Sequence, residues 1–290
     1  ENNRQQAFLP DSAQVIENPV GTAPSFIVET ERGVVISLPG VPREMKYLMT
    51  SSVIPYLLKR YQLGVIKARV LRTAGIGESS LDDLIGADIL SQSNPTVGLA
   101  AHHGSVDVRI TVKAEDAESA ELMLDDMQKQ LETRIGDYIF GQDTDTLEEI
   151  VSKFLVENNL KIAVVEAGIG DIIIHKLAGA DVFSSTGQFK TPEEAYDDYG
   201  IDHNTQLKDA AIQIAEGLQK QDNTVAVIVI LSYPDIDENA DIEQGSAVAL
   251  SVQGEPTRHR IYGFGAKSAL AQDWLPRWGL SNLWRMLKDK

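Results

Sequence analysis

The chain has 290 residues, 43% of them hydrophobic, with 26 Lys and Arg against 43 Asp and Glu, a net charge of −17 and no cysteine. This length suits about two domains of ~100–200 residues, or three smaller ones. The lack of any apolar run of about 18 residues, of a basic leader and of cysteine speaks against a membrane span or a disulfide-stapled secreted fold, and for a cytoplasmic protein. The acidic balance repels polyanions, and no cluster of basic residues is evident to offset it. The chain opens at Glu1, without methionine, in the polar stretch ENNRQQAFLPDSA, as a piece of a longer protein would.

In chain order, the first feature is a pair of loops, NPVGTAP at 18–24 and LPGVPREM at 38–45, flanking a single strand at Gly33 to Leu38. Asn18-Pro19 opens a turn, Gly21 supplies φ > 0 or close backbone approach, and Thr22 offers a hydroxyl. The second loop feeds a helix from about Arg43 to Tyr61, with a break expected near Pro55. A glycine-bearing loop at a helix N-terminus suits an anion, because unpaired N–H groups and the helix dipole both point at it. Residues 1–65 make no closed core by themselves.

Residues 66–142 predict a small α+β layer. Its strands are Ile66 to Thr73, Thr96 to Ala101 and the cleanly alternating Val106 to Val112, with helices at Ser79 to Leu90 and through Ala120, Met123, Met127 and Leu131. His102 and His103 sit beside the hairpin turn. Neighbours on a strand point to opposite faces, so they read as turn residues rather than joint metal ligands. From 143 onward a Thr146-x-x-Glu149 capping box opens a helix with Leu147, Ile150, Val151, Phe154 and Leu155 on one face. Strands at 161–166, 225–231 and 247–252, with helices near 205–218 and 268–287, make the fold class α/β. Asp235, Asp237, Asn239, Asp241 and Glu243 resemble a calcium loop, but Ala240 and Ser246 replace the glycine and glutamate it needs, so a solvated acidic loop is expected. Trp274, Trp278 and Trp284 lie in a C-terminal helical segment interrupted by Pro276 and Gly279, and are expected to dock it onto the last domain or onto a second subunit rather than to form a cofactor box.

The stretches Asn3 to Ala7, NPVGTAPSF, LPGVPREM, Arg72-Thr73-Ala74-Gly75-Ile76-Gly77-Glu78-Ser79 and Asn94-Pro95-Thr96-Val97 resemble, in order and spacing over the whole chain, the competence/damage-inducible CinA family. The resemblance implies three parts. Residues 1–65 would be the C-terminal remnant of a domain similar to the molybdopterin-binding proteins MoaB and MogA, 66–142 a KH-type domain, and 143–290 an amidohydrolase-like domain. For the first, it implies ADP-ribose hydrolysis with a divalent metal, magnesium or similar, in the full-length parent. The matching nucleotide-binding and phosphate-binding residues are Asn18, Gly21, Thr22, Ala23, Pro24, Gly40, Pro42 and Glu44, with positional roles. Ser25 stands where the family more often has glycine. No catalytic residue and no metal ligand is placed in this chain, so the catalytic centre would be incomplete.

KH domains clamp a nucleic-acid backbone with a Gly-x-x-Gly loop. The nearest equivalent here, Gly75-Ile76-Gly77-Glu78, carries a carboxylate, and residues 66–142 hold 7 basic against 13 acidic residues. That argues against nucleic acid as a partner and for a spacer or dimer contact. The last part resembles the nicotinamide-nucleotide amidohydrolases, whose Glu-Ser-Cys-Thr-Gly-Gly motif falls on Glu166, Ala167, Gly168, Ile169, Gly170 and Asp171. Alanine has no oxygen to attack with. The family's Tyr and Lys fall on Lys190 and Ala195, and its Thr-Gly-Ile-Ala-Gly-Pro on Val229 to Pro234. These departures imply a pseudoenzyme layer. The readings left open are a nucleotide pyrophosphatase parent, a non-catalytic protein that homo-oligomerises or senses a nucleotide-type small molecule, and an active amidohydrolase with relocated residues, for which Ser184, Ser185 and Thr186 are candidates.

Overall fold

The computed structural model of the chain describes residues 8–61, 64–102, 105–220, 224–234 and 245–288. Asn3 to Ala7, His103 and the acidic stretch Asp235 to Glu243 lie outside the described residues. The chain divides into two compact units, Glu1–Ile66 with Lys113–Ala120, and Lys67–Val112 with Glu121–Lys290. No helix among the described residues is long and apolar enough to cross a membrane.

The first unit contains strands β1 (Gln14–Ile16), β2 (Ser25–Thr30) and β3 (Gly33–Ser37) in one antiparallel sheet of that order. The single strand expected between the loops is thus corrected to a hairpin, turned at Glu31 and Arg32 with Thr30 opposite Gly33. A small core also exists, contrary to expectation, with Ile16, Ile27, Leu48 and Val53 buried together. The helix begins as α1 (Pro42–Leu48), widens through a π segment at Met49–Val53 and continues as α2 (Ile54–Tyr61). The expected break at Pro55 does not occur. Proline lacks an N–H and clashes with the carbonyl four residues back, and a wide turn just upstream accommodates both without ending the helix.

The second sheet has the order β5 (Thr96–His102), β6 (Ser105–Ala114), β4 (Val65–Ala74), β7 (Ile139–Gln142). The helix predicted over 79–90 is two, α3 (Glu78–Ile85) and α4 (Ala87–Leu90), parted at Gly86, whose φ of 82° ends the first. Helix α5 (Ala117–Ile135) buries Leu124, Met127, Leu131 and Ile135.

The third sheet carries the strand-end site. Its order is β12 (Arg258–Tyr262), β11 (Ser246–Val252), β10 (Ala226–Ser232), β8 (Ile162–Ala167), β9 (Phe183–Phe189). Strands β9, β8 and β10 are parallel, and β11 and β12 extend the sheet antiparallel. β8 and β10 are buried from end to end, as continuous apolar runs covered on both faces must be. Alternate residues serve opposite cores: Ile162 and Val164 face one, Ala163, Val165 and Ala167 the other. The first face is covered by α6 (Leu147–Glu157), α7 (Ile172–Lys176) and α10 (Ala271–Leu287), the second by α8 (Pro192–Tyr199) and α9 (Leu207–Gln219). The expected interruption of α10 is corrected to one helix through Pro276 and Gly279. Both are buried, and a Cβ on Gly279 would lie 3.0 Å from Ile228 Cγ2, so packing on the sheet outweighs poor helix propensity. The three tryptophans dock this helix, with Trp284 buried in the core and Trp274 and Trp278 packed against it.

The predicted N-cap forms, the Glu149 N–H donating to Thr146 Oγ1 at 3.3 Å, while the Glu149 carboxylate takes the Thr146 hydroxyl at 2.7 Å. Thr146→Ala is expected to lower stability by about 1 kcal/mol, read as a lower urea midpoint, with Thr146→Ser retaining most of it.

Candidate functional site

Two groups of the predicted residues come together, one in each unit. In the first unit the paired loops are clasped. Asn18 Nδ2 donates to Glu44 Oε2 at 2.6 Å and to the Ala23 carbonyl at 3.3 Å, while the Val20 N–H donates to Asn18 Oδ1 at 3.3 Å. Gly21 completes the clasp by what it lacks, since a Cβ there would sit 1.9 Å from Glu44 Oε2. Glycine at 21 therefore serves close approach of the carboxylate. Pro42 takes the first helical position, where its missing N–H has no helical acceptor to lose, and Val41 caps α1 with no side-chain hydrogen bond. Thr22, Pro24 and Gly40 are exposed, and nothing lies within 4 Å of a Cβ built on Gly40. Ser25 is fully buried in β2, its Oγ without a partner among the described residues.

The clasp thus presents an exposed hydroxyl at Thr22, open backbone at Gly40 and uncapped N–H groups, held in place by Asn18 and Glu44. Such groups position an anion but cannot attack one.

In the second unit the segments matched to the amidohydrolase motifs meet at the carboxyl ends of β8, β9 and β10, the usual ligand edge of an open α/β sheet. The edge is closed. The Gly168 N–H donates to the Phe189 carbonyl at 3.0 Å, and a Cβ on Gly168, whose φ is 78°, would lie 1.8 Å from the Ser232 carbonyl oxygen. Ala167 is wholly buried, its methyl packed in the core under α8 and α9. Gly170 also has positive φ, 88°, but no atom within 4 Å of its absent side chain. Lys190 is exposed, and its backbone N–H donates to Glu194 Oε2 at 2.8 Å.

Glu166 points to the opposite face. Fully buried, its carboxylate accepts the N–H groups of Ile173 at 2.9 Å and Ile174 at 3.2 Å, capping α7. Burial pushes its carboxyl up to about 7, opposed by those two hydrogen bonds and reinforced by Asp171. Of the candidate relocated nucleophiles, Ser184 shares a 2.7 Å hydrogen bond with Thr224, and Ser185 and Thr186 are exposed on β9.

Sequence reasoning missed other groups at this edge. The Ser232 and Ser246 hydroxyls share a buried 2.7 Å hydrogen bond, and Ser246 donates to the Phe264 carbonyl at 2.7 Å. The only signal was a serine closing an otherwise apolar strand. Burial raises the phenols of Tyr196 and Tyr233, which Glu193 raises further. His102 ends β5 beside the hairpin turn, as expected, and its Nε2 lies 3.1 Å from Asp107 Oδ2, to which Arg72 also donates at 2.6 Å. Arg72 and Asp107 are 35 residues apart, and such a pair leaves no local pattern to read.

The comparisons agree with the part of this architecture that lies in β4 to β7. A family described as the damage-inducible protein CinA KH domain matches residues 68–141. A competence-damage inducible protein of Clostridium botulinum (strain 657 / Type Ba4) is 37% identical over 238 residues, covering 77% of this chain and 57% of that protein. One from Clostridium perfringens (strain SM101 / Type A) is 36% identical over 239 residues, with the same coverage. The chain thus spans a little over half the length of these curated relatives. A crystal structure of a CinA superfamily protein from Escherichia coli covers 50% of this chain and 92% of its own, at 18% identity and a TM-score of 0.40. One of a competence/damage inducible protein from Agrobacterium tumefaciens covers 47% and 91%, at 14% identity and the same score, a likeness too slight to bear functional weight. The sequence matches, over most of the chain and within its KH-type layer, place this α/β protein in the competence/damage-inducible CinA family.

Proposed function

We propose that the first unit is the phosphate-holding part of a nucleotide site, in a CinA-family protein whose full-length form hydrolyses a nucleotide diphosphate of the ADP-ribose class. The C-terminal layer keeps an amidohydrolase-like fold without that chemistry. The clasp is the observation that carries the first statement. The two motifs are joined by a hydrogen bond between Asn18 and Glu44, 26 residues apart, with Gly21 close against the carboxylate. The second is supported by the Ala167 methyl in an apolar core and by Gly168 closed onto the Ser232 carbonyl.

The described residues do not fit a divalent metal at the clasp. Glu44 is the carboxylate placed there, it is already bonded to Asn18, and no group of three or more His, Cys, Asp or Glu able to hold a metal occurs among the described residues. Hydrolysis by the parent would need ligands and an attacking group that these residues do not provide. What this chain does is orient the anion.

The test is calorimetric titration of the chain with ADP-ribose and with nicotinamide mononucleotide, with and without magnesium, with product analysis of each sample. Saturable ADP-ribose binding is expected, weakened by about tenfold in Glu44→Ala and less in the exposed Thr22→Ala, with no ammonia released from the mononucleotide. ADP-ribose affinity indifferent to both substitutions would remove the clasp from the binding site. Ammonia release would show that the C-terminal layer retains its chemistry.

A further inference from the structure

A cleft of about 470 Å³ opens in the second unit, within the range of small-molecule sites. Its apolar wall is aromatic. Trp274 and Trp278 stand four residues apart on α10, hence on one helix face, and both are half-buried, while Trp274 meets the Tyr262 ring edge-on at 6.3 Å. Indole surface of this size left wet at a concave site is what a planar ring covers. Opposite chemistry lies on the same cleft. The exposed Arg260 guanidinium sits 5.4 Å from the Tyr262 centroid, and Glu78 brings a carboxylate in the first turn of α3. Gly75 to Gly77 also line the cleft. Gly75 has φ of 76°, and Gly77 caps α3 with no side-chain hydrogen bond and open space where a side chain would stand.

We propose that this cleft binds a ribonucleoside monophosphate. The base lies against the indoles, the ribose hydroxyls donate to Glu78, and the phosphate meets Arg260 and the open backbone at Gly77. Glu78 is the discriminating group. Its carboxylate accepts vicinal ribose hydroxyls, the role an acidic residue plays in dinucleotide folds. Arginine supplies a planar fork to a single phosphate and also stacks on rings. The site is separate from the Asn18–Glu44 clasp and does not depend on it.

The test follows tryptophan fluorescence and calorimetry as the chain is titrated with adenosine 5′-monophosphate, its 2′-deoxy analogue, adenosine and inorganic phosphate, in a Glu44→Ala background that disables the clasp. Saturable quenching by the ribonucleotide is expected. Arg260→Ala should weaken it by about tenfold while leaving adenosine nearly unchanged, and Glu78→Gln should abolish the preference for ribose over deoxyribose. Both side chains lie at the surface of the cleft, so these variants test binding rather than folding. No quenching at millimolar nucleotide, quenching lost with Glu44→Ala alone, or binding of an adenine oligoribonucleotide without binding of the monomer would each overturn the proposal.

Discussion

Gly168→Ala is expected to destabilise the chain by about 3–5 kcal/mol, a large part of the ~5–15 kcal/mol that holds a domain folded. Two effects add. A φ of 78° costs any residue with a Cβ about 1–2 kcal/mol. The new methyl would also stand 1.8 Å from the Ser232 carbonyl, well inside contact distance, and the obstacle is backbone in a fully buried strand that cannot swing aside. Gly170→Ala separates the two effects. At a φ of 88° it bears the conformational cost alone, because nothing lies within 4 Å of its new methyl. Urea unfolding of the two variants should therefore differ by about 2–3 kcal/mol. Equal losses would mean that the strand ends are not closed on each other, and the reading of this edge as filled would fail with them.

The same edge shows how much of the molecule the sequence exposes. Elements whose signal is local were legible. The Thr146 cap and the alternation of Val106, Val108, Ile110 and Val112 formed as read, since capping groups and a half-buried face are specified within a few residues. β9 was not, because FSSTGQF is an edge strand with mostly polar residues and is recruited by pairing with β8. Pro55 and Pro276 were read as breaks because proline's local cost is visible while the π turn and the sheet packing that override it are not. At the candidate sites, residue types were legible and contacts were not. Asn18, Gly21 and Glu44 stood out singly, yet the approach of the Glu44 carboxylate to Gly21 and Asn18 is set by the fold. Glu166 stood out as a motif residue, whereas its carboxylate caps a helix the sequence reading omitted.

That cap leads to the second large effect, a pH dependence specific to one side chain. Glu166 titrates near 7 in the folded chain, against an ordinary value of 4.5, because burial penalises its charged form more than the N–H groups of Ile173 and Ile174 favour it. A raised folded value means that the folded state binds the proton more tightly than the unfolded chain does. The stability this provides is complete below about 4.5 and is lost as pH rises through about 7, a change of about 3 kcal/mol. Glu166→Gln keeps the size and one acceptor oxygen but cannot titrate, and it leaves one of the two N–H groups of α7 without its acceptor. The stability difference between the two proteins should therefore depend on pH, other titrating groups cancelling. Wild type and variant should lie closest at pH 4.5, where the protonated carboxyl, like the amide, has one carbonyl oxygen to offer, and wild type should lose about 3 kcal/mol relative to the variant by pH 8. A difference constant across that range would place the Glu166 carboxylate in contact with solvent, and the α7 cap would then be a weaker restraint on the strand ends than its two hydrogen bonds indicate.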